Sequence, residues 1–201
     1  GLAEAGYLTN ETLFSLTALP PRLAVIGAGP IGCELAQAFA RFGSRVTLIE
    51  QAPQMLGRED RDAADILHNT FMREGIDLRL GAGITRVELR GEERVVHLER
   101  EGRTEELAVD RILAGVGRAP NTEGLGLEAA GIVWDRNGVT VSDTLQTSNP
   151  NVYAAGDICS PWKFTHTADA QARILIANAL FMGRQRTSAL TIPWCAYTDP
   201  E

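Results

Sequence analysis

Cysteine and histidine are scarce in this 201-residue sequence, at three residues each. Cys33, Cys159 and Cys195 lie far apart with no CxxC spacing, which argues against a disulfide framework and a structural zinc site. They read as small, buried or half-buried thiols in a reducing cytoplasm. His68, His97 and His166 show no ligand spacing, so no metal is expected. Positive charge is in the minority, 19 basic against 26 acidic residues for a net −7, and no Lys/Arg-rich run occurs. Nucleic acid and anionic membranes are therefore poor default partners, since both need local positive potential. The longest apolar stretch, Ile174 to Phe181, is interrupted by Asn178 and falls well short of the ~20 residues of a spanning helix. No signal peptide and no methionine open the chain, and Gly1 in first place suggests a processed or excised piece.

What is present fits an ordinary globular protein. Apolar residues make up 44% and charged residues 22%, enough to bury a sizeable core. The length allows one domain and the beginnings of a second, at roughly 100–200 residues per domain. Glycine is enriched, with 20 residues and no collagen-like period.

Pro20-Pro21 fixes an extended approach to Leu23-Ala24-Val25-Ile26, an all-apolar run typical of a parallel strand buried on both faces. A glycine turn and a helix follow, with Ile31, Leu35, Ala38, Phe39 and Phe42 on one face and Gly43 as the stop. Val46 to Ile49 is a second strand, ending at Glu50, so the segment is a βαβ unit. Arg61 to Arg73 predicts a helix closed by Gly75, and Ile76 to Leu80 a strand. Segments 84–90, 93–99 and 104–109 alternate apolar and polar residues, predicting an antiparallel meander. Ile112-Leu113-Ala114 returns to a buried-strand pattern before Gly115-Val116-Gly117-Arg118. Asn137-Gly138 signals a hairpin, Val152 to Ala155 a further short strand, and Ala168 to Phe181 a helix with Ala168, Ala172, Leu175, Ala179 and Met182 on one stripe. The fold class is α/β.

Gly27-Ala28-Gly29-Pro30-Ile31-Gly32 matches GxGxxG. The first glycine permits the tight turn, the second lets the backbone approach a pyrophosphate, and the third allows close helix–strand packing. A diphosphate would rest on the free amides at the helix N-terminus, favoured by the dipole, so an acidic protein needs no positive field to hold it. Glu50 stands 18 residues past Gly32, at the end of the next strand. A carboxylate there accepts hydrogen bonds from both ribose hydroxyls of NAD but faces the 2′-phosphate of NADP, which favours NAD.

Three ordered motifs now stand in the chain: Gly27 to Glu50, Gly115-Val116-Gly117-Arg118-Ala119-Pro120-Asn121, and Val152-Tyr153-Ala154-Ala155-Gly156-Asp157. With Ser160 to Thr167 and the tail Ile192 to Glu201, the sequence resembles the pyridine nucleotide–disulfide oxidoreductases, in the branch of dihydrolipoamide dehydrogenase and mercuric reductase. The resemblance implies a Rossmann-like NAD-binding domain at 21–117, the C-terminal half of an FAD-binding domain at 118–188, and the start of a dimerisation domain at 189–201. Residues 1–20 would lead in from the FAD-binding domain. It also implies that Gly27, Gly29, Pro30, Ile31, Gly32 and Glu50 hold NAD, and that the turn of Gly115, Val116, Gly117 and Arg118 lies beside the nicotinamide. Gly156 and Asp157 would meet the ribityl chain of FAD. The helix start at His166, Thr167 and Ala168 would aim its amides at the flavin, whose reduced form is anionic. Glu34 matches a glutamate that pairs with a lysine absent from this chain. Pro30 stands where some relatives carry an aromatic gate.

A second GxGxxG and a CxxxxC are absent, as is the family's His-Glu base. The resemblance thus implies a fragment of a cytoplasmic, homodimeric flavoenzyme that passes a hydride from NADH to FAD and on to a disulfide or related acceptor. The isolated chain is expected to bind small dinucleotides without turnover. Two other readings stay open. One is a stand-alone NAD-sensing module; the other is a flavin-free dehydrogenase with His166 as proton donor.

Overall fold

Residues 1–201 are all described by the computed structural model. The apolar run at Leu23 lies in β1 (Arg22–Ile26), the second strand from one edge of a four-stranded parallel sheet. Its neighbours are β2 (Arg45–Glu50), then β3 (Asp77–Leu80), and on the other side β7 (Arg111–Ala114). The order β3-β2-β1-β7 is that of the first four strands of a doubly wound sheet. Between β3 and β7 the chain makes the antiparallel meander β4 (Gly83–Arg90), β5 (Glu93–Arg100) and β6 (Arg103–Val109).

Both faces of the parallel sheet are covered, which is why its strands read as continuous apolar runs. Leu23, Val25, Val46 and Leu48 pack under α2 (Pro30–Phe42) and α3 (Arg61–Arg73), with Cys33, Ala36, Leu67 and Phe71. Ala24, Ile49 and Ile112 face the meander through Val87, Val96, Leu98 and Val109, and the short α1 (Leu2–Ala5) adds Ala5. Each fully buried Leu or Val contributes roughly 1.5–3 kcal/mol.

The sheet, meander and flanking helices make one unit, Gly1–Gly117 with Cys195–Glu201; Arg118–Trp194 make the other. Residues 1–20, implied to lead in from the neighbouring domain, group with the first unit. Leu8 donates to Ile112 O at 2.7 Å and accepts from Ala114 N–H at 2.9 Å, covering the open edge of β7, and Leu13 is buried in the core. The second unit holds the hairpin β8 (Trp134–Asp135) and β9 (Gly138–Val139), α4 (Thr165–Leu180), and a small core of Leu127, Ile132 and Val139.

Three expectations change. Val152 to Ala155 forms only one bridge, Tyr153 to Gln146, because a single short segment runs beside it. On α2, Leu35 and Phe39 of the expected face pack against the core, but Ile31 and Phe42 are exposed, and the fully buried residues are Gly32, Cys33, Ala36 and Gln37. Gly32 abuts Gly27 and Val25, so the fully buried line of the helix runs through Gly32, Cys33 and Ala36, beside the apolar face. The buried residues of α4 are Thr167, Gln171 and Ile174, one position back from the expected stripe, while Met182 beyond its end is 94% exposed. There a polar contact from Gln171, described below, outweighs apolar periodicity. No helix is long and apolar enough to cross a membrane.

Candidate dinucleotide site

The carboxyl ends of β1, β2 and β7 converge on the glycine loop. Gly27 has φ +96° and donates to Ile49 O at 2.8 Å. A Cβ on Gly27 would lie 2.5 Å from Gly115 O, and one on Gly32 would strike Gly27 O. Both positions therefore need glycine for close backbone packing. Gly115 belongs to the same knot: its N–H reaches Ile26 O at 2.7 Å, and its own Cβ would sit 3.6 Å from Gly32 Cα. Gly29 differs, because a Cβ there would touch nothing within 4 Å. It is the N-cap of α2, with Pro30 in the first helical position. Cys33 N–H takes up Gly29 O at 2.9 Å, while the amides of Ile31 and Gly32 have no acceptor within the chain. Two free donors and the positive helix end thus face an open space.

Glu50 is fixed across this loop. Its Oε2 accepts from Ala28 N–H at 2.8 Å and its Oε1 from Ala52 N–H at 2.9 Å. Each oxygen keeps a lone pair for a further donor. Neither alanine amide carries a signal in the sequence, since any residue but proline would supply it. Val116 is 73% exposed and Gly117 has φ +116°, so the turn after β7 presents backbone to solvent. Cys33 lies beneath the loop; burial first, then the Glu34 and Glu50 carboxylates, push its thiol up to about 12. Glu34 accepts from Tyr197 N–H at 3.0 Å.

The second unit gathers the remaining predicted residues. Gly156 has φ +81° and donates to Gln171 Oε1 at 2.7 Å, and a Cβ on it would come within 3.2 Å of Ala168 Cβ. The loop is therefore pinned on the first turns of α4 by a buried glutamine that the sequence reading missed. Asp157 pairs with Arg118 at 3.4 Å; Lys163 Nζ donates to Asp157 O at 2.7 Å, and Arg118 also donates to Lys163 O. At the start of α4 the amides of Thr165, His166 and Thr167 are free, and Ala168 N–H is the first to bond back, to Phe164 O. Thr167 Oγ1 is buried without a partner. His166 Nε2 lies 2.8 Å from Pro193 O; a carbonyl only accepts, so Nε2 carries the proton. The ring stacks on Phe164 with centroids 5.3 Å apart. That Nε2 proton is thus committed to the Pro193 carbonyl.

Residues 2–172 match the family model for pyridine nucleotide-disulphide oxidoreductases. The mercuric reductase of Lysinibacillus sphaericus is 35% identical over the whole chain, which spans 37% of that protein. The dihydrolipoyl dehydrogenase of Thermus scotoductus is 40% identical over 91% of the chain and 40% of its own length. Among solved structures, the HOCl-induced flavoprotein disulfide reductase RclA from Escherichia coli superposes with a TM-score of 0.90 at 34% identity, covering 97% of this chain and 44% of that one. LpdA from Mycobacterium tuberculosis gives 0.82 at 34% identity, over 92% and 41%. The chain thus spans about two fifths of these relatives. Its fold and sequence together make it a member of the pyridine nucleotide-disulphide oxidoreductase family.

Proposed function

We propose that the first unit binds NAD(H) at the glycine loop, in preference to NADP(H), and that the second contributes to an FAD site. The observation that carries this reading is the open space over Gly29, bordered by the Ile31 and Gly32 amides and by the oriented Glu50 carboxylate. The residues present fit the group. The space accepts a diphosphate, the amides supply its hydrogen bonds, and Glu50 keeps lone pairs for the ribose hydroxyls. A 2′-phosphate would meet that carboxylate directly.

In the second unit the buried, unpartnered Thr167 Oγ1 and the three free amides at the start of α4 fit an acceptor-bearing ring edge. Asp157, tethered by Arg118, keeps acceptor capacity for a sugar-alcohol chain. NADH supplies a hydride and FAD an electron-accepting ring. The chain itself binds and orients: Gly27, Gly29 and Gly32 set the diphosphate distance, Glu50 the ribose, Gly115 to Gly117 the passage of the nicotinamide half, and α4 a positive end for reduced flavin. A disulfide or related acceptor would then be reduced with residues beyond these 201, so this chain alone binds NADH without turning it over.

Titration of the purified chain with NADH and NADPH, followed by ligand fluorescence, tests the reading. NADH should bind saturably and more tightly than NADPH. Glu50→Ala should weaken NADH at least tenfold, since hydrogen bonds to a charged group contribute about 1.5–3 kcal/mol each. Absence of saturable NADH binding, or NADPH binding as tightly, would overturn it.

A further inference from the structure

The outer side of α2 carries a polar stripe, Glu34, Gln37 and Arg41, that the dinucleotide reading does not use. The segment Tyr197–Asp199 lies along it. Gln37 grips the backbone of Asp199 from both sides: its Nε2 donates to Asp199 O at 2.7 Å, and its Oε1 accepts from Asp199 N–H at 2.8 Å. The second Nε2 hydrogen reaches Glu74 Oε1 at 3.2 Å, beyond the end of α3. Arg41 bonds both Glu74, at 2.6 Å, and the Asp199 carboxylate, at 2.8 Å. Glu34 takes Tyr197 N–H at 3.0 Å. Gln37 is 3% and Thr198 6% exposed, and Ala196 packs against the core below. A buried carboxamide bonded on both its donor and acceptor sides to one backbone residue is a specific seat for a docked chain segment.

The seat lies on the helix whose first turn faces the candidate diphosphate space. Glu34 is two residues past Gly32, about 3 Å further along the axis. Held by Tyr197 N–H, its carboxylate is committed to the strap. Without the strap, that carboxylate is free to swing toward the open Ile31 and Gly32 amides and to oppose an anion there.

We infer that Gln37 is a positioning residue for dinucleotide binding: by clamping Asp199 it seats the 195–201 strap on α2, and strap seating and NADH binding favour each other. This inference rests on NADH binding at the glycine loop. Linkage makes the coupling reciprocal, so whatever factor the strap lends to NADH, NADH must lend to the strap.

The experiment uses the 201-residue chain and its Gln37→Met variant, which keeps length and packing but removes both clamp bonds. NADH affinity is measured for each, together with hydrogen exchange of the Tyr197 to Asp199 amides with and without saturating NADH. The expected result is NADH binding about fivefold weaker in Gln37→Met, and strap exchange in the parent slowed by NADH through the same factor. Arg90→Met, which removes only ion pairs on the surface of the meander, away from the strap, should change NADH affinity less than twofold. Should Gln37→Met fail to fold, removal of residues 195–201 makes the same comparison, and the heptapeptide added in trans should restore affinity. Equal NADH affinity in parent and variant overturns the coupling and leaves the dinucleotide reading standing. So does weaker binding with strap exchange indifferent to NADH, which would mark Gln37 as merely structural. If the parent does not bind NADH, both fall.

Discussion

Gly29 and Gly32 belong to one motif three residues apart, yet the structure assigns them opposite costs. A methyl on Gly32 would strike Gly27 O, lie 3.0 Å from Gly27 C, and sit 3.6 Å from Val25 Cγ1. The obstacle is mostly backbone, so no rotamer relieves it, and α2 must lift from β1. Overpacking of this kind costs about 1–3 kcal/mol. The better helix propensity of alanine returns about 1 kcal/mol. The net for Gly32→Ala is a loss of up to about 2 kcal/mol, which in a chain of this length lowers Tm by up to roughly 8 °C. At Gly29 a methyl meets nothing within 4 Å, and φ −74°, ψ −179° suits alanine. Removing a glycine from the unfolded chain favours folding by about 0.4–1 kcal/mol. Alanine is a poorer N-cap than glycine by a similar amount. Gly29→Ala should therefore leave stability within about 0.5 kcal/mol of the parent. It should nevertheless weaken NADH more than tenfold, because the methyl occupies the space where a diphosphate must approach the Ile31 and Gly32 amides. Thermal unfolding and NADH titration of both variants decide the matter. If Gly29→Ala unfolds much earlier than the parent, or binds NADH undiminished, the division between a packing glycine and an approach glycine is refuted.

In the second unit, Gln171→Ala strands the buried Gly156 amide; denaturant unfolding should show a loss of about 1–3 kcal/mol, and an unchanged midpoint would mean that the amide had found another partner. Acid should weaken the fold below the ordinary carboxyl values of 3.8 for Asp110 and 4.5 for Glu74, because Arg22 and Arg41 hold these groups lower in the folded state. Their contribution is complete above those values and drains away as pH falls through the lower folded ones, so Asp110→Asn should lose less between pH 5 and 3 in urea titrations. At pH 8 a thiol reagent should modify the exposed Cys195 first; Cys33, buried and pushed up to about 12, should react only on unfolding, and Cys159, pushed up to about 11 by burial, slowly.

The β1-α2-β2 unit, α3 and the meander were legible because their signals are local. Strand runs, a glycine with positive φ and a proline at the first helical turn act within a few residues of where they stand. Arg61–Arg73 was bounded correctly for that reason. The burial face of α4, and part of that of α2, was misplaced because these faces are decided by what each helix meets. Gly32 meets Gly27, and Ala168 and Gln171 meet Gly156, whatever the apolar count on the other sides.

The residues that the pattern could not assign are the two buried glutamines. Each sits mid-helix and holds backbone groups from far along the chain, 162 residues away for Gln37 and 15 for Gln171. A lone helical glutamine reads as solvated, since most are exposed. Both, however, stand between alanines, Ala36-Gln37-Ala38 and Ala170-Gln171-Ala172. Small neighbours let another backbone come close enough for a carboxamide to reach it, and a carboxamide so enclosed must find partners or cost several kilocalories. A glutamine flanked by alanines within a helix is thus a candidate for holding a docked loop. In this chain Gln171 holds the Gly156 turn and Gln37 the Tyr197–Asp199 strap, two features that hydrophobic periodicity passes over.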